Sequence, residues 1–208
     1  MNRARTWKGV IAATAVAGIT GVTAAAALPA TAASENVAYA AGASGLLGSV
    51  GPLSEASYPG TSPVTLANLS VLGLAGIAAG TDTAGPTSAS STVAKVSILS
   101  LVGVDTVSSS CSYDASTGMV SGTTKIIGGE LLGGLLGGLL SGLTSALPVN
   151  PAPNTTIAVP GVATITLNRQ VNTGGTLEVD ALSVSLLGTA ETITVATSLC
   201  NSADLSAS

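Results

Sequence analysis

The chain has 208 residues, of which 8% are charged and 46% hydrophobic, with no histidine, no phenylalanine and a formal net charge of −4. Ordinary globular chains carry about 25% charged residues, and disorder requires high charge with low hydrophobicity, so this composition excludes a disordered chain. Three of the six bases (Arg3, Arg5 and Lys8) fall at the start, and Lys95, Lys125 and Arg169 stand isolated among ten acids; nucleic-acid binding needs clustered bases against phosphates, so it is excluded as well.

Residues 1–33 divide into three parts. Arg3, Arg5 and Lys8 form a positive start, Gly9 to Leu28 is uncharged and apolar, and Pro29-Ala30-Thr31-Ala32 offers small residues for a cut after Ala32. That order predicts a secretory signal peptide over 1–32, removed on export, with residues 33–208 as a single secreted domain. The competing reading is a retained membrane helix, since about 20 apolar residues can span a bilayer. No Arg-Arg pair points to the twin-arginine route, no cysteine stands near the cut for lipid attachment, and the end from Asn201 to Ser208 is polar. The expected location is extracellular, either free or loosely held by the cell wall. Trp7, the sole tryptophan, lies in the leader, so the exported core is expected to be built from Val, Leu, Ile and Ala.

Asn36 to Ala41 reads as a first strand, followed by Gly- and Pro-rich loops through residue 62. Val64 to Leu74 reads as a strand with a change of phase, and Gly76 to Thr83 either continues it or returns beside it. Ala84 to Ser91 has the composition of a turn. Thr92 to Val102 alternates well, and Gly103 suggests a bulge or bend before a further strand from Val104 to Ser110. Met119 to Ile127 is a shorter candidate.

Residues 129–147 stand apart, with Leu-Leu pairs recurring every fourth residue between glycines. On a helix this period stacks Leu131, Leu135 and Leu139, with Leu132, Leu136, Leu140 and Leu143, along one stripe. Each glycine costs about 1 kcal/mol relative to alanine in a helix, so the segment needs a surface to pack on. Three readings compete: a helix or loop over the core, an exposed apolar surface for a lipid, wall polymer or envelope partner, and a membrane-spanning helix using close small-residue packing.

Beyond Pro153 the β pattern returns. Thr155 to Leu167 is punctuated by Pro160-Gly161, and Asn172-Thr173-Gly174-Gly175 signals a hairpin. Thr176 to Leu187 reads as the longest strand. Leu177, Val179 and Ala181 share one face and Leu182, Val184 and Leu186 the other phase, so a bulge near Ala181 is expected. Ile193 and Val195 mark a last strand. The whole predicts a mainly β fold, an antiparallel sandwich or partly open barrel, with one Leu/Gly-rich helix or loop insertion.

Cys111 and Cys200 are the only cysteines. Two cysteines in an exported chain predict one disulfide, whereas two thiols without histidine leave a zinc site half empty. Without histidine, neither a Ser-His-Asp triad nor a Cys-His pair can be assembled. Glu178 and Asp180 share a strand face, as a carboxylate pair for glycoside hydrolysis would, but their alternation with Leu177 and Val179 predicts a solvated outer face. Asp82, Asp105 and Asp114 lie beside turns and are expected to cap them. Tyr39, Tyr58 and Tyr113 are dispersed. No phosphate loop or calcium loop is present. No catalytic residue, cofactor or metal is therefore expected, and the reading is a non-enzymatic structural or interaction protein; the alternative is a surface-active protein working through residues 129–143.

Several of these segments have the texture of one family. Ala94 to Cys111, Asp114 to Gly118, Gly122-Thr123-Thr124, Leu167-Asn168-Arg169-Gln170, Leu177 to Leu186 and Ala196 to Cys200 together resemble the choice-of-anchor P family of secreted actinobacterial proteins. The resemblance spans roughly residues 36–200. It implies an extracellular or envelope protein with two spaced cysteines and no catalytic residues to carry over. The chain departs from anchored members in having no sortase signal or C-terminal helix, and the Leu-Leu-Gly-Gly tract looks like an insertion.

Overall fold

The computed structural model describes residues 36–46, 48–131, 146–186 and 191–201. Their regular structure is all β: β1 (Asn36–Gly45), β2 (Val50–Tyr58), β3 (Val64–Val71), β4 (Ala75–Ala84), β5 (Ser88–Ile98), β6 (Val102–Asp114), β7 (Met119–Ile127), β8 (Glu130–Leu131), β9 (Thr155–Val159), β10 (Ala163–Thr173), β11 (Thr176–Leu186) and β12 (Glu191–Asn201). The first sheet runs β2-β1-β12-β11-β10-β9 and the second β3-β4-β5-β6-β7, with β8 paired to β6. All pairings are antiparallel. The two sheets pack face to face as a β-sandwich and do not close into a barrel.

Several turns follow local chemistry. Gly174 and Gly175, both at positive φ, close the two-residue hairpin between β10 and β11, as type I′ geometry demands. Other boundaries differ from the sequence reading. The segment after β1 is not all loop, because β2 pairs with β1 through a register shift between Ala41 and Ala43 that accommodates Gly51 and Pro52. Gly103 lies inside β6, paired with Ser97. The reversal comes earlier, at Leu99 and Ser100, which take the left-handed conformation without glycine. β6 therefore runs unbroken for 13 residues and exceeds β11 in length.

The change of phase near Ala181 is real, but no bulge produces it. Register with β10 is the same on both sides: Leu167 pairs with Leu182 and Arg169 with Asp180. Asn168 and Ala196, the residues opposite Ala181, instead sit at φ 50° and 53°. A left-handed residue rotates the chain so that two successive side chains share one face. The crease crosses five strands of the first sheet, from Ser54 (φ 60°) through Ala40, Ala196 and Ala181 to Asn168. A matching line crosses the second sheet through Asn68, Ala78, Lys95, Asp105 and Gly128, again left-handed at alternate positions.

Aliphatic residues fill the space between the sheets, including Ile98, Ile126, Ile165, Leu167, Leu182 and Ile193. A smaller apolar cluster surrounds Cys111 and Cys200 with Leu177 and Val179. Between the two runs a polar row on the second sheet. Asp82 pairs with Ser91, Ser91 with Ser109 and Ser109 with Thr124, and all four are buried.

Candidate functional site

The β10–β11 register sets Arg169 opposite Asp180 on the outer face of the first sheet. Arg169 Nη1 donates to Asp180 Oδ2 at 2.6 Å and to Glu178 Oε1 at 2.7 Å. Thr197, across from Asp180 on β12, donates its hydroxyl to Oδ1 at 2.7 Å. Asp180 is thereby covered, with 0% of its surface exposed. Burial pushes its carboxyl up to about 6; the Thr197 bond opposes this, the Glu178 charge adds to it, and Arg169 pulls it down. Burial alone disfavours charge on Arg169, but the two carboxylates outweigh it and hold the guanidinium above its ordinary value. Tyr39, from β1, is raised chiefly by burial, with Thr197 opposing and the carboxylates adding.

Beside this ion triad lies a shallow depression of about 270 Å³, lined by Tyr39, Gly42, Pro52, Arg169, Glu178, Thr192 and Thr194 among others. Its walls offer guanidinium and hydroxyl donors, a carboxylate acceptor and one aromatic side chain. Such a surface can exchange hydrogen bonds with a neutral hydroxyl-bearing ligand. Both carboxylates converge on one nitrogen of Arg169, and Asp180 is buried beneath it.

The segment Asn168-Arg169-Gln170 serves three directions at once. Asn168 Nδ2 donates to the Pro151 carbonyl at 2.9 Å, Arg169 holds the triad, and Gln170 Nε2 donates to the Gly122 carbonyl of the other sheet at 3.0 Å. Gln170 Nε2 also donates to Asn168 Oδ1 at 2.9 Å, which fixes the left-handed turn.

Cys111 and Cys200 form the expected disulfide, with Cα atoms 5.8 Å apart, and tie β6 of one sheet to β12 of the other. Leu131 is buried and pairs with Val102 in β8. Leu132, Leu135, Leu136, Leu139, Leu140 and Leu143 lie outside the described residues, as do residues 1–35.

The acids depart from the sequence reading in three places. Asp180 shares its outer face with Glu178 but is buried, because Arg169 folds over it. Asp82 caps no turn; it is fully buried in β4. Asp105 is paired with Lys95, whose Nζ lies 2.6 Å from Oδ1. Asp114 does cap its turn, accepting from the Ser116 amide and the Ser116 and Thr117 hydroxyls, and these bonds hold its carboxyl below the ordinary range. Sequence alone does not bring Tyr39, Arg169 and Thr197 together as a site. The signal available was Arg169 and two acids on the two arms of one predicted hairpin; counting back from Gly174-Gly175 sets them opposite.

The fold and site thus define a disulfide-bridged antiparallel β-sandwich with a polar depression on one outer face. No family model, curated protein or solved structure matches the chain.

Proposed function

We propose that the protein is exported and acts, without catalysis, as a structural or interaction domain of the cell envelope, with the depression beside Arg169 as its contact for a hydroxyl-rich wall polymer. The observation that carries this reading is the closed triad: Arg169 engages both candidate carboxylates and Asp180 is inaccessible, so the site offers hydrogen bonds in place of a free acid and base. The inter-sheet disulfide supports an oxidising destination, and the leader-like start supports cleavage after Ala32. The likeness to choice-of-anchor P proteins points the same way and rests on the quoted motifs.

The test is cosedimentation of the protein with purified insoluble cell-wall glycan, beside mass spectrometry of the N-terminus in fractionated producing cells. Saturable binding is expected, together with a chain beginning at Ala33 in the wall or medium. Gly42→Gln should weaken binding by about tenfold: a Cβ there has room, with the nearest atom 3.4 Å away, and the longer side chain would fill the depression. An intact Met1 in cytoplasmic protein would overturn the reading of export. Release of soluble sugar from the glycan would overturn the reading of non-catalysis.

A further inference from the structure

Asp82 is the one titratable residue of β4, and it faces the interior with 0% of its surface exposed. A carboxylate so placed is costly unless a base compensates it, and without one it takes up a proton. Among the described residues no base does so. Lys95 is held by Asp105 and Arg169 by Glu178 and Asp180, while Lys125 stands exposed on β7. The strands packed around β4 bring no other charge to this carboxyl. β3 carries no titratable side chain, and the only one on β5 is Lys95. β1 has only Tyr39, which lines the outer depression, and β2 has only Glu55 and Tyr58, both exposed.

Its partners are hydroxyls. Ser91 stands opposite Asp82 on β5. Ser54 comes from β2 of the first sheet, where the left-handed backbone of the crease turns it inward beside Leu53, and its hydroxyl oxygen is buried. Burial raises the Asp82 carboxyl above its ordinary value, and hydrogen bonds with Ser91 and Ser54 oppose this without cancelling it. We propose that Asp82 is a proton-set latch between the two sheets: protonated, its carboxyl bonds Ser54 and holds β2 against β4, and ionised, it lets β2 go. A protonated carboxyl has an O–H to donate and an oxygen to accept, so it serves both hydroxyls with no net charge to bury. An ionised one must draw in water, which reaches it only by parting the strands above. The element that gives way is β2, an edge strand paired with β1 alone and interrupted by the register shift between Ala41 and Ala43. The disulfide and the bond from Gln170 to Gly122 keep the sheets joined meanwhile, so the opening is local. The folded state holds this proton more tightly than the unfolded chain. The stability the latch adds is therefore complete below the ordinary aspartate value and is lost as pH rises through the raised folded one.

The experiment is a pH titration of the whole, disulfide-intact protein, following the Asp82 carboxyl carbon by NMR and the β2 amides by hydrogen exchange. The carboxyl is expected to titrate above the ordinary aspartate value of about 3.9. Asp82→Asn keeps the shape and cannot ionise, so it serves as the reference for exchange at each pH. Relative to it, β2 amides of the unaltered protein should exchange about tenfold faster once pH has passed the Asp82 midpoint, and equally below it. Ser54→Ala removes a bond that opposes the effect of burial, so its Asp82 midpoint should move higher still. That readout, like the midpoint of the unaltered protein, does not depend on Asp82→Asn folding. A midpoint at or below the ordinary value would overturn the latch, as would a carboxyl that stays protonated until the chain unfolds. So would β2 exchange that matches Asp82→Asn throughout, or a midpoint that Ser54→Ala leaves in place.

Discussion

Asn168 on β10 and Ala196 on β12 stand on either side of Ala181, both in the left-handed backbone region, at φ 50° and 53°. That pair makes the crease by which the first sheet turns successive residues, Ala181 and Leu182, into one core while preserving its ladder. For a residue other than glycine, the left-handed region costs about 1–2 kcal/mol. Asparagine tolerates it better, and here its amide is held at both ends. Asn168→Ala should therefore destabilise by roughly 2–4 kcal/mol, the sum of two hydrogen bonds and the backbone cost. Asn168→Gly loses the bonds but not the conformation, so roughly 1–2 kcal/mol is expected. Urea unfolding of the two variants separates the terms. An alanine variant as stable as the glycine one would mean the crease carries no backbone strain.

The two sheets approach closely where β7 meets β11 at Gly122. A Cβ on Gly122 would lie 2.3 Å from Val179 Cγ2 and 3.2 Å from Leu177 Cδ2. Gly122→Ala should force the sheets apart and cost about 1–3 kcal/mol, typical of overpacking. The same shift would strain the bond from Gln170 Nε2 to the Gly122 carbonyl, so amide exchange along β7 should quicken in the variant. A neutral effect on both readouts would show the sheets to be looser at this point than the contact requires.

Sequence carried much of this architecture and little of the site. Alternation placed β7, β10, β11 and β12, and Gly174-Gly175 fixed a hairpin, because period and turn chemistry are local. The phase change at Ala181 was visible, but a bulge and a left-handed crease produce the same pattern in one strand. Only the unshifted partners Leu167–Leu182 and Arg169–Asp180 distinguish them. Asp180 and Asp82 look like ordinary surface acids by spacing. Their burial depends on Arg169 from another strand and on sheet-to-sheet packing, which no single segment encodes. Leu99-Ser100 turns without glycine or proline, so sequence points instead to the nearby Gly103.

The disulfide makes a quantitative expectation. Cys111 and Cys200 are 89 residues apart, and cross-linking them removes loop entropy from the unfolded chain; for such a loop the chain-entropy argument gives about 4–5 kcal/mol. The bond also joins opposite sheets within a cluster of small aliphatic side chains, where no aromatic residue adds area. Replacing both cysteines with alanine should lower stability by that order, and unfolding under reducing conditions should show a similar loss. A loss under 1 kcal/mol by urea unfolding would mean the unfolded chain is already compact around this pair.

The triad makes a prediction with a definite sign. Asp180 has its carboxyl raised to about 6 in the folded protein, against about 3.9 in an unfolded chain. Between those values the folded state binds more protons than the unfolded state, so stability falls as pH rises. Its contribution is fully present below about pH 4 and is lost by the time pH passes the folded value. Asp114 works in the opposite sense, since its lowered carboxyl favours folding above its unfolded value and loses that effect as pH falls. The two can be separated by difference. Asp180→Asn keeps an acceptor for Thr197 and leaves Glu178 on Arg169, so it should fold. Subtracting its stability profile from that of the unaltered protein should leave a curve that declines between about pH 4 and 6 and is flat above. A difference curve that rises across that window would mean that Arg169 dominates over burial, and that Asp180 is held ionised as one arm of an ordinary salt bridge.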